Sequence, residues 1–541
     1  MPNLILFNGK LHTQDENFPD ATAIALRDGR ILAVGSDAEI RAQARAETEI
    51  IDLQGKSVLP GLTDSHIHFY EWALLLQGIM LEDTRSLAEV QNLVRDAVKR
   101  QKSGSWIIGQ GWNQDNWDEP RTPTKADLDE IAPENPVILW RKDLHLALVN
   151  STALKLTGID KKTPDPTMGV IQRDENGEPN GLLNELAINL VRNVMPIPTN
   201  EVTDAAMQKT MTRLHALGIT GIHDFRIMGG ESGATAFRAF QRLHTKKQLK
   251  LRALVMLPGE FAEQAAKTGL QSGFGDDFLR IGGIKLFSDG ALGPRTAWML
   301  ENFENESHTG MPLTPMSEMA EKIALAEKSE LSTTIHAIGD RAVRELLDVY
   351  TEILDGNVHQ QDARPKHRIE HVQHSHPDDL ARLAALGLVA SVQPLHLTED
   401  MDMVEKAIGK RARWTYAFRD LLDAGTTLAF GSDCPVVSPN PFLGIQAAVT
   451  RQRTDGTPAE GWFPSQRLTV EESVFAYTMG AAIAAGTENM QGSLSPGKVA
   501  DLVVLKDNIF EISPLEIGKT EVEITIFDGE VVFKRDITNQ M

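Results

Sequence analysis

The sequence predicts an α/β fold: a (β/α)8 barrel with a large insertion after its first strand, plus a small β-sandwich-like domain built from both termini. Three observations predict it. Short apolar, β-branched runs alternate with helical patterns through the middle of the chain. Eight such runs can be counted, and the two ends are alike in style.

The ends come first. Residues 3–8 (NLILFN) and 22–35 (TAIALRDGRILAVG) read as short strands, the second turning at Asp28-Gly29, a dipeptide suited to a tight hairpin. The far end repeats this with ADLVVL at 500–505 and EITIFDGEVVF at 523–533, turning at Asp528-Gly529. Neither end could bury a face alone. Residues 1–57 and 487–541 are therefore assigned to one small sheet domain, and 58–486 to the barrel.

The barrel strands are expected at VLPGLTDSHIH (58–68), TGIHDF (220–225), LRALVM (251–256), IGGIKLF (281–287), TTIHAI (333–338), HRIEHV (367–372), LVASVQ (388–393) and TLAFGSD (427–433). Helical patterns at 341–354, 378–387 and 416–425 lie between the later ones. Near-continuous apolar strands alternating with helices indicate a parallel sheet covered on both faces. A doubly wound open sheet is the structural alternative. The stretch between the first two strands far exceeds what a crossover needs. Its segments SWIIGQGW (105–112) and VILWRKDLHLALVN (137–150) point to an inserted subdomain at about 75–205, placed to roof an active site.

Composition excludes several classes. The chain has 541 residues, 41% hydrophobic and 24% charged, with a formal net charge of −21. A core this large is folded rather than disordered. The acidic balance argues against nucleic acid or an anionic membrane as partner. One cysteine, Cys434, excludes a disulfide framework and a cysteine-based zinc site. No basic region precedes a long apolar run at the start, and no apolar stretch would span a membrane. A reducing cytosol, a small-molecule substrate and a cytoplasmic location fit these features; a homodimer is left open.

Of 15 histidines, His66, His68, His223, His336 and His371 fall at or near barrel strand ends. C-terminal strand ends face the catalytic mouth of such a barrel. His66 and His68 are two residues apart on a strand and so share one side, where two imidazoles reach one cation. Alone, the pair reads equally well as hydrogen-bonded strand-end histidines. Asp433 ends the last strand, where an aspartate is also a common helix cap. Lys285 stands inside an apolar strand, where a bare ammonium is costly. Either it pairs with a neighbour such as Asp289, or its amine becomes a ligand directly or after modification. Cys434 is read as a small buried residue. Gly492–Lys498 imitates a phosphate-binding loop but lacks the following Ser/Thr and helix, and is rejected.

These motifs as a set resemble the amidohydrolase superfamily of metal-dependent hydrolases, and more narrowly its YtcJ-like branch, which includes N-substituted formamide deformylases. The matching segments are LPGLTDSHIH (59–68), GITGIHDF (218–225), GGIKLFSDGALG (282–293), IHAIGDRAV (335–343), HRIEHVQ (367–373), VASVQPLH (389–396), FGSDCPV (430–436) and GSLSPGKVADLVVL (492–505). The resemblance implies that His66, His68 and Asp433 bind one metal. It implies that Lys285, carboxylated by carbon dioxide, bridges to a second metal held by His336 and His371. The cofactor implied is one or two divalent metals per chain, zinc first, with carbon dioxide as the Lys285 carbamate. His145 resembles a family histidine near the substrate, although Leu144 precedes it where the family pattern has glycine. Arg295, Trp298, Gln393 and His396 are further pocket residues, or else parts of hydrogen-bonded loops.

The implied reaction is hydrolysis of a C–N, amide-type bond by a metal-activated hydroxide. Asp433 serves as general base and then acid, and His145 helps hold the oxyanion. The same site would also serve deamination, ester or carbamate cleavage, or hydration. A non-catalytic, metal-free binding protein on the same barrel is the alternative from another class.

Overall fold

The computed structural model describes all residues except 115–116, 143, 167–168, 227–231, 355–363 and 536–541. Contacts divide the chain into two compact units. Met1–Ile67, Thr210–Phe225 and Leu243–Met541 form the first; His68–Lys209 and Arg226–Arg242 form the second.

The first unit holds an eight-stranded sheet whose order in space is the order in sequence. Its strands are β1 (Leu62–Ile67), β2 (Ile219–Asp224), β3 (Arg252–Pro258), β4 (Leu279–Phe287), β5 (Thr333–Ala337), β6 (Arg368–His371), β7 (Val389–Val392) and β8 (Leu428–Phe430). Every neighbouring pair is parallel. The seam between β1 and β8 is closed just past β8. Ile67 bridges Cys434 in parallel, and the Asp433 N–H donates to the His66 carbonyl at 2.6 Å. The buried Asp64 carboxylate clasps the same seam: it accepts from the Ser432 N–H at 2.9 Å, the Ser432 hydroxyl at 2.5 Å and the His66 N–H at 3.1 Å. The parallel, nearly closed barrel expected from the sequence is thus present.

Helices cover the sheet by their apolar faces. Asp340–Leu354 buries Ala342, Val343, Leu346, Leu347, Tyr350 and Leu354, the spacing that places one stripe against a sheet. The first expected strand divides in two. Ser57–Pro60 leaves the barrel and pairs with Leu502–Leu505, while Leu62 begins β1. Gly61 marks the break, where a Cβ would meet the Thr220 hydroxyl at 2.2 Å.

Both termini build two small sheets, one of four strands and one of five. Leu4, Leu6, Ile24 and Leu26 from the first share a core with Val58, Leu502, Val504, Ile524 and Ile526 from the second. Both expected hairpins turn as predicted. Asp28 and Gly29 have φ of 48° and 74°, and Asp528 and Gly529 have φ of 54° and 77°, so both central residues are left-handed as a type I′ turn requires. Lys498 Nζ donates to the Glu488 and Gln491 carbonyls, which makes its loop a self-closed turn and not a phosphate cradle.

The second unit centres on a six-stranded mixed sheet ordered Gly169–Arg173, Pro179–Glu185, Leu146–Val149, Val137–Arg141, Ile107–Trp112, Ile79–Met80. Alternate residues of one strand feed two cores: Ile138 and Trp140 enter one, Val137 and Leu139 the other. The expected insertion omitted 226–242, whose helix Ser232–Thr245 begins after β2. Among the described residues no helix is long and apolar enough to cross a membrane.

Candidate metal centre

His66 lies on β1, His68 one residue past it, and Asp433 three residues past β8. One ligand atom from each lies within 4.8 Å of the others. His66 Nε2 stands 3.4 Å from Asp433 Oδ1. The rings of His371 and His66 are 5.1 Å apart between centroids, and those of His336 and His371 4.5 Å. Barrel topology explains the convergence, because these residues sit at or just past the C-terminal ends of parallel strands, His66 and His68 sharing β1.

Hydrogen bonds behind these side chains fix their ring protons. His66 Nδ1 donates to Glu370 at 2.6 Å, which turns Nε2 toward Asp433. His371 Nδ1 donates to Gln393 Oε1 at 2.8 Å. His336 Nε2 donates to the Gly290 carbonyl at 3.1 Å. Such partners orient metal-binding imidazoles and set which nitrogen carries the proton. Burial pushes His66 down to about 4, against the pull of Glu370 and Asp433, and pushes His371 well below its ordinary value with help from His336. His66 and His371 are thereby held neutral, the form that binds a cation.

Two of these residues hold strained backbone. His371 has φ of 73° and Asp433 of 60°. Left-handed backbone costs a β-carbon residue about 1–3 kcal/mol and persists where the surroundings enforce it, commonly at functional sites.

Lys285 is buried on β4, with Nζ 4.9 Å from the Phe225 ring centre and 4.7 Å from that of Phe287. Phe225 stacks on His66 and Phe287 packs against His336, so the amine lies between the two histidine groups. Burial lowers it to about 8, opposed by Glu370 and Asp433. The alternative ion pair with Asp289 does not form. Asp289 accepts instead from the N–H groups of Trp298, Ile338 and Gly339 at 2.8, 3.0 and 2.8 Å.

The remaining expected site residues divide. His396 reaches the centre, with Nε2 3.8 Å from Asp433 Oδ2. Gln393 Oε1 accepts from His371 Nδ1 and so orients that ring. Arg295 pairs with Glu306 at 3.3 Å and covers Phe303, and the Trp298 ring lies under Arg341. Both are engaged within their own surroundings. Cys434 is buried, as expected. His223 accepts from Arg368 at 2.8 Å and belongs to the support of the centre. His145, in the second unit, donates through Nδ1 to Glu185 at 2.8 Å.

A family model described as "Amidohydrolase family" matches residues 49–533. The chain belongs to the amidohydrolase family. Within it, this amidohydrolase is 37% identical over 519 residues to the Arabidopsis thaliana protein LONG AFTER FAR-RED 3, covering 94% of this chain and 88% of that one. It is 28% identical to the amidohydrolase YtcJ of Bacillus subtilis (strain 168), covering 98% and 99%. It is 27% identical to N-substituted formamide deformylase of Arthrobacter pascens, covering 99% of each. A crystal structure of an uncharacterized metal-dependent hydrolase from Pyrococcus horikoshii superposes with a TM-score of 0.78 at 27% identity, covering 94% of this chain and 99% of that one. The YtcJ-like resemblance read from the motifs is therefore established, and hydrolysis is the general reaction.

The amidohydrolase also places three buried charges that sequence reasoning passed over: Asp64, Arg368 and Glu370. Arg368 and Glu370 form a buried ion pair on β6 that extends to His66 on one side and His223 on the other. Their signal was available in RIEH, because two opposite charges inside an apolar strand must be paired.

Leu144, found where the family pattern has glycine, has φ of 62° and packs against the core that holds Ile138 and Trp140. Packing offsets a left-handed penalty of about 1–2 kcal/mol. Leu144→Gly removes both and is expected to change stability by less than about 1 kcal/mol. Leu144→Ala keeps the strain, loses the packing, and is expected to cost about 1–2 kcal/mol. Thermal denaturation that ranks the alanine variant above the glycine variant would refute this account.

Proposed function

We propose that this amidohydrolase cleaves a C–N bond, other than a peptide bond, in an amide-type small molecule, with Asp433 moving the proton. The convergence of His66, His68 and Asp433 within 4.8 Å carries the reading. Two imidazoles beside a carboxylate fit a divalent cation, and zinc suits such a nitrogen and oxygen set. When bound, the cation polarises a carbonyl and makes water acidic near neutral pH.

The chain's own residues do the rest. Asp433 takes a proton from the attacking water and returns it to the nitrogen as the C–N bond breaks. The balance is one water consumed, with hydroxyl to the carbonyl carbon and hydrogen to the amine. Lys285, once carboxylated, becomes an anion between the His66 and His336 groups, where it compensates positive charge instead of adding to it. His336 and His371 complete a second set of donors. His145 contacts the substrate through Nε2, an acceptor when Nδ1 carries the proton. His396, Arg295 and Trp298 shape the substrate site. The relative named N-substituted formamide deformylase supports formamides as the first substrates to try.

The test is metal analysis together with a panel of N-substituted formamides, linear and cyclic amides, esters and amino-heterocycles. Amide turnover that is lost on chelation and restored by divalent metal is expected. Turnover of amino-heterocycles alone would sink the amide assignment. A well-folded, metal-free and inert protein would favour a binding role.

A further inference from the structure

His145 and Glu185 meet in the second unit across neighbouring antiparallel strands. Leu146 on one pairs with Asn184 on the other, and the Glu185 N–H donates to the His145 carbonyl at 2.9 Å. Their side chains then close a second link, Nδ1 to Oε2 at 2.8 Å. Both remain partly open to solvent, at 38% and 24% exposure. A link made only for stability would be expected in relaxed backbone, and this one is not.

Glu185 has φ of 51° and ψ of −130°. These are the dihedrals of the first central residue of a type II′ turn, a position glycine occupies without penalty. Leu144, which precedes His145 just before the other strand, is also left-handed. One member of the pair and the residue before the other thus hold backbone that their residue types disfavour. At Leu144 the packing described above offsets the cost. At Glu185 the side chain's hydrogen-bond partner among the described residues is His145, and glycine there would relieve the strain and remove that link.

We propose that Glu185 is a positioning residue for His145: its carboxylate fixes the proton on Nδ1 and sets the ring's orientation, and the strained turn is retained because glycine could not supply that carboxylate. The proposal rests on the reading that His145 acts on the substrate. Carboxylate partners that orient histidines are typically worth about 10–100-fold in function.

The experiment compares Glu185→Gly, Glu185→Ala and Glu185→Gln in the full-length, metal-loaded protein. Three readouts are taken: melting temperature, kcat and KM with the best amide of the panel, and the His145 tautomer by long-range ¹H–¹⁵N correlation. His145→Ala assigns the signal. Glu185→Gly is expected to melt above Glu185→Ala, to lose about 10–100-fold in kcat with KM little changed, and to lose the Nδ1–H tautomer. Glu185→Gln, which keeps an acceptor oxygen, is expected to retain that tautomer and to recover most of the activity. Wild-type kcat in Glu185→Gly, or a His145 tautomer unchanged in it, overturns the proposal. Should no amide be turned over, the proposed function fails, and the tautomer readout still decides the role of Glu185.

Discussion

Asp433→Asn is expected to lower kcat/KM by at least about 10³-fold while the fold survives. The carboxylate serves two roles in the proposed reaction, as ligand and as proton carrier, and general acid–base catalysis alone accounts for about 10²–10⁴-fold. Asparagine is the appropriate replacement because Asp433 has φ of 60°, a conformation asparagine tolerates and alanine does not. Its amide also matches the carboxylate in size beside His66 and His396. Steady-state kinetics, circular dichroism and metal content together make the measurement. Lys285→Ala is expected to be equally inactive. Full activity in either variant refutes the assignment of the centre.

Glu370→Ala is expected to be the most destabilising single change, at about 3–5 kcal/mol, because it leaves the Arg368 guanidinium buried without its carboxylate. Burial alone would raise the Glu370 carboxyl, but Arg368 and His66 more than offset it and hold it well below the usual range. The same variant releases His66 Nδ1 and is expected to weaken divalent-metal affinity about 10–100-fold. Denaturant titration and competition with a metal chelator report the two effects separately. A stable Glu370→Ala protein with wild-type metal affinity would show that the Arg368–Glu370–His66 chain supports neither the core nor the centre.

The barrel was legible because parallel strands buried on both faces read as apolar runs, and each of the eight runs became a strand. His66, His336, His371 and Asp433 stood out for a related reason, as polar residues at or near the ends of apolar runs, and Lys285 as a charge inside one. What sequence hid is what depends on partners distant along the chain. Asp64 looks like an ordinary charge until β1 and β8 come together. Nothing in VASVQPLH shows that Gln393 accepts from His371, 22 residues earlier. The division at Gly61 was concealed because Ser57–Pro60 and β1 are both apolar and extended, and only pairing with Leu502–Leu505 separates them. The share of 226–242 in the second unit was likewise invisible, since it follows β2 and not β1.

The clasp of Asp64 on Ser432 and His66 gives the cylinder's last joint a chemical meaning. The chain's first and final staves are riveted beside His66 and Asp433, the pair to which the proposed function gives the cation. On that proposal mechanical closure and reactivity share a hinge pin: a bound ion would reinforce the joint, and a joint that gaped would scatter its ligands.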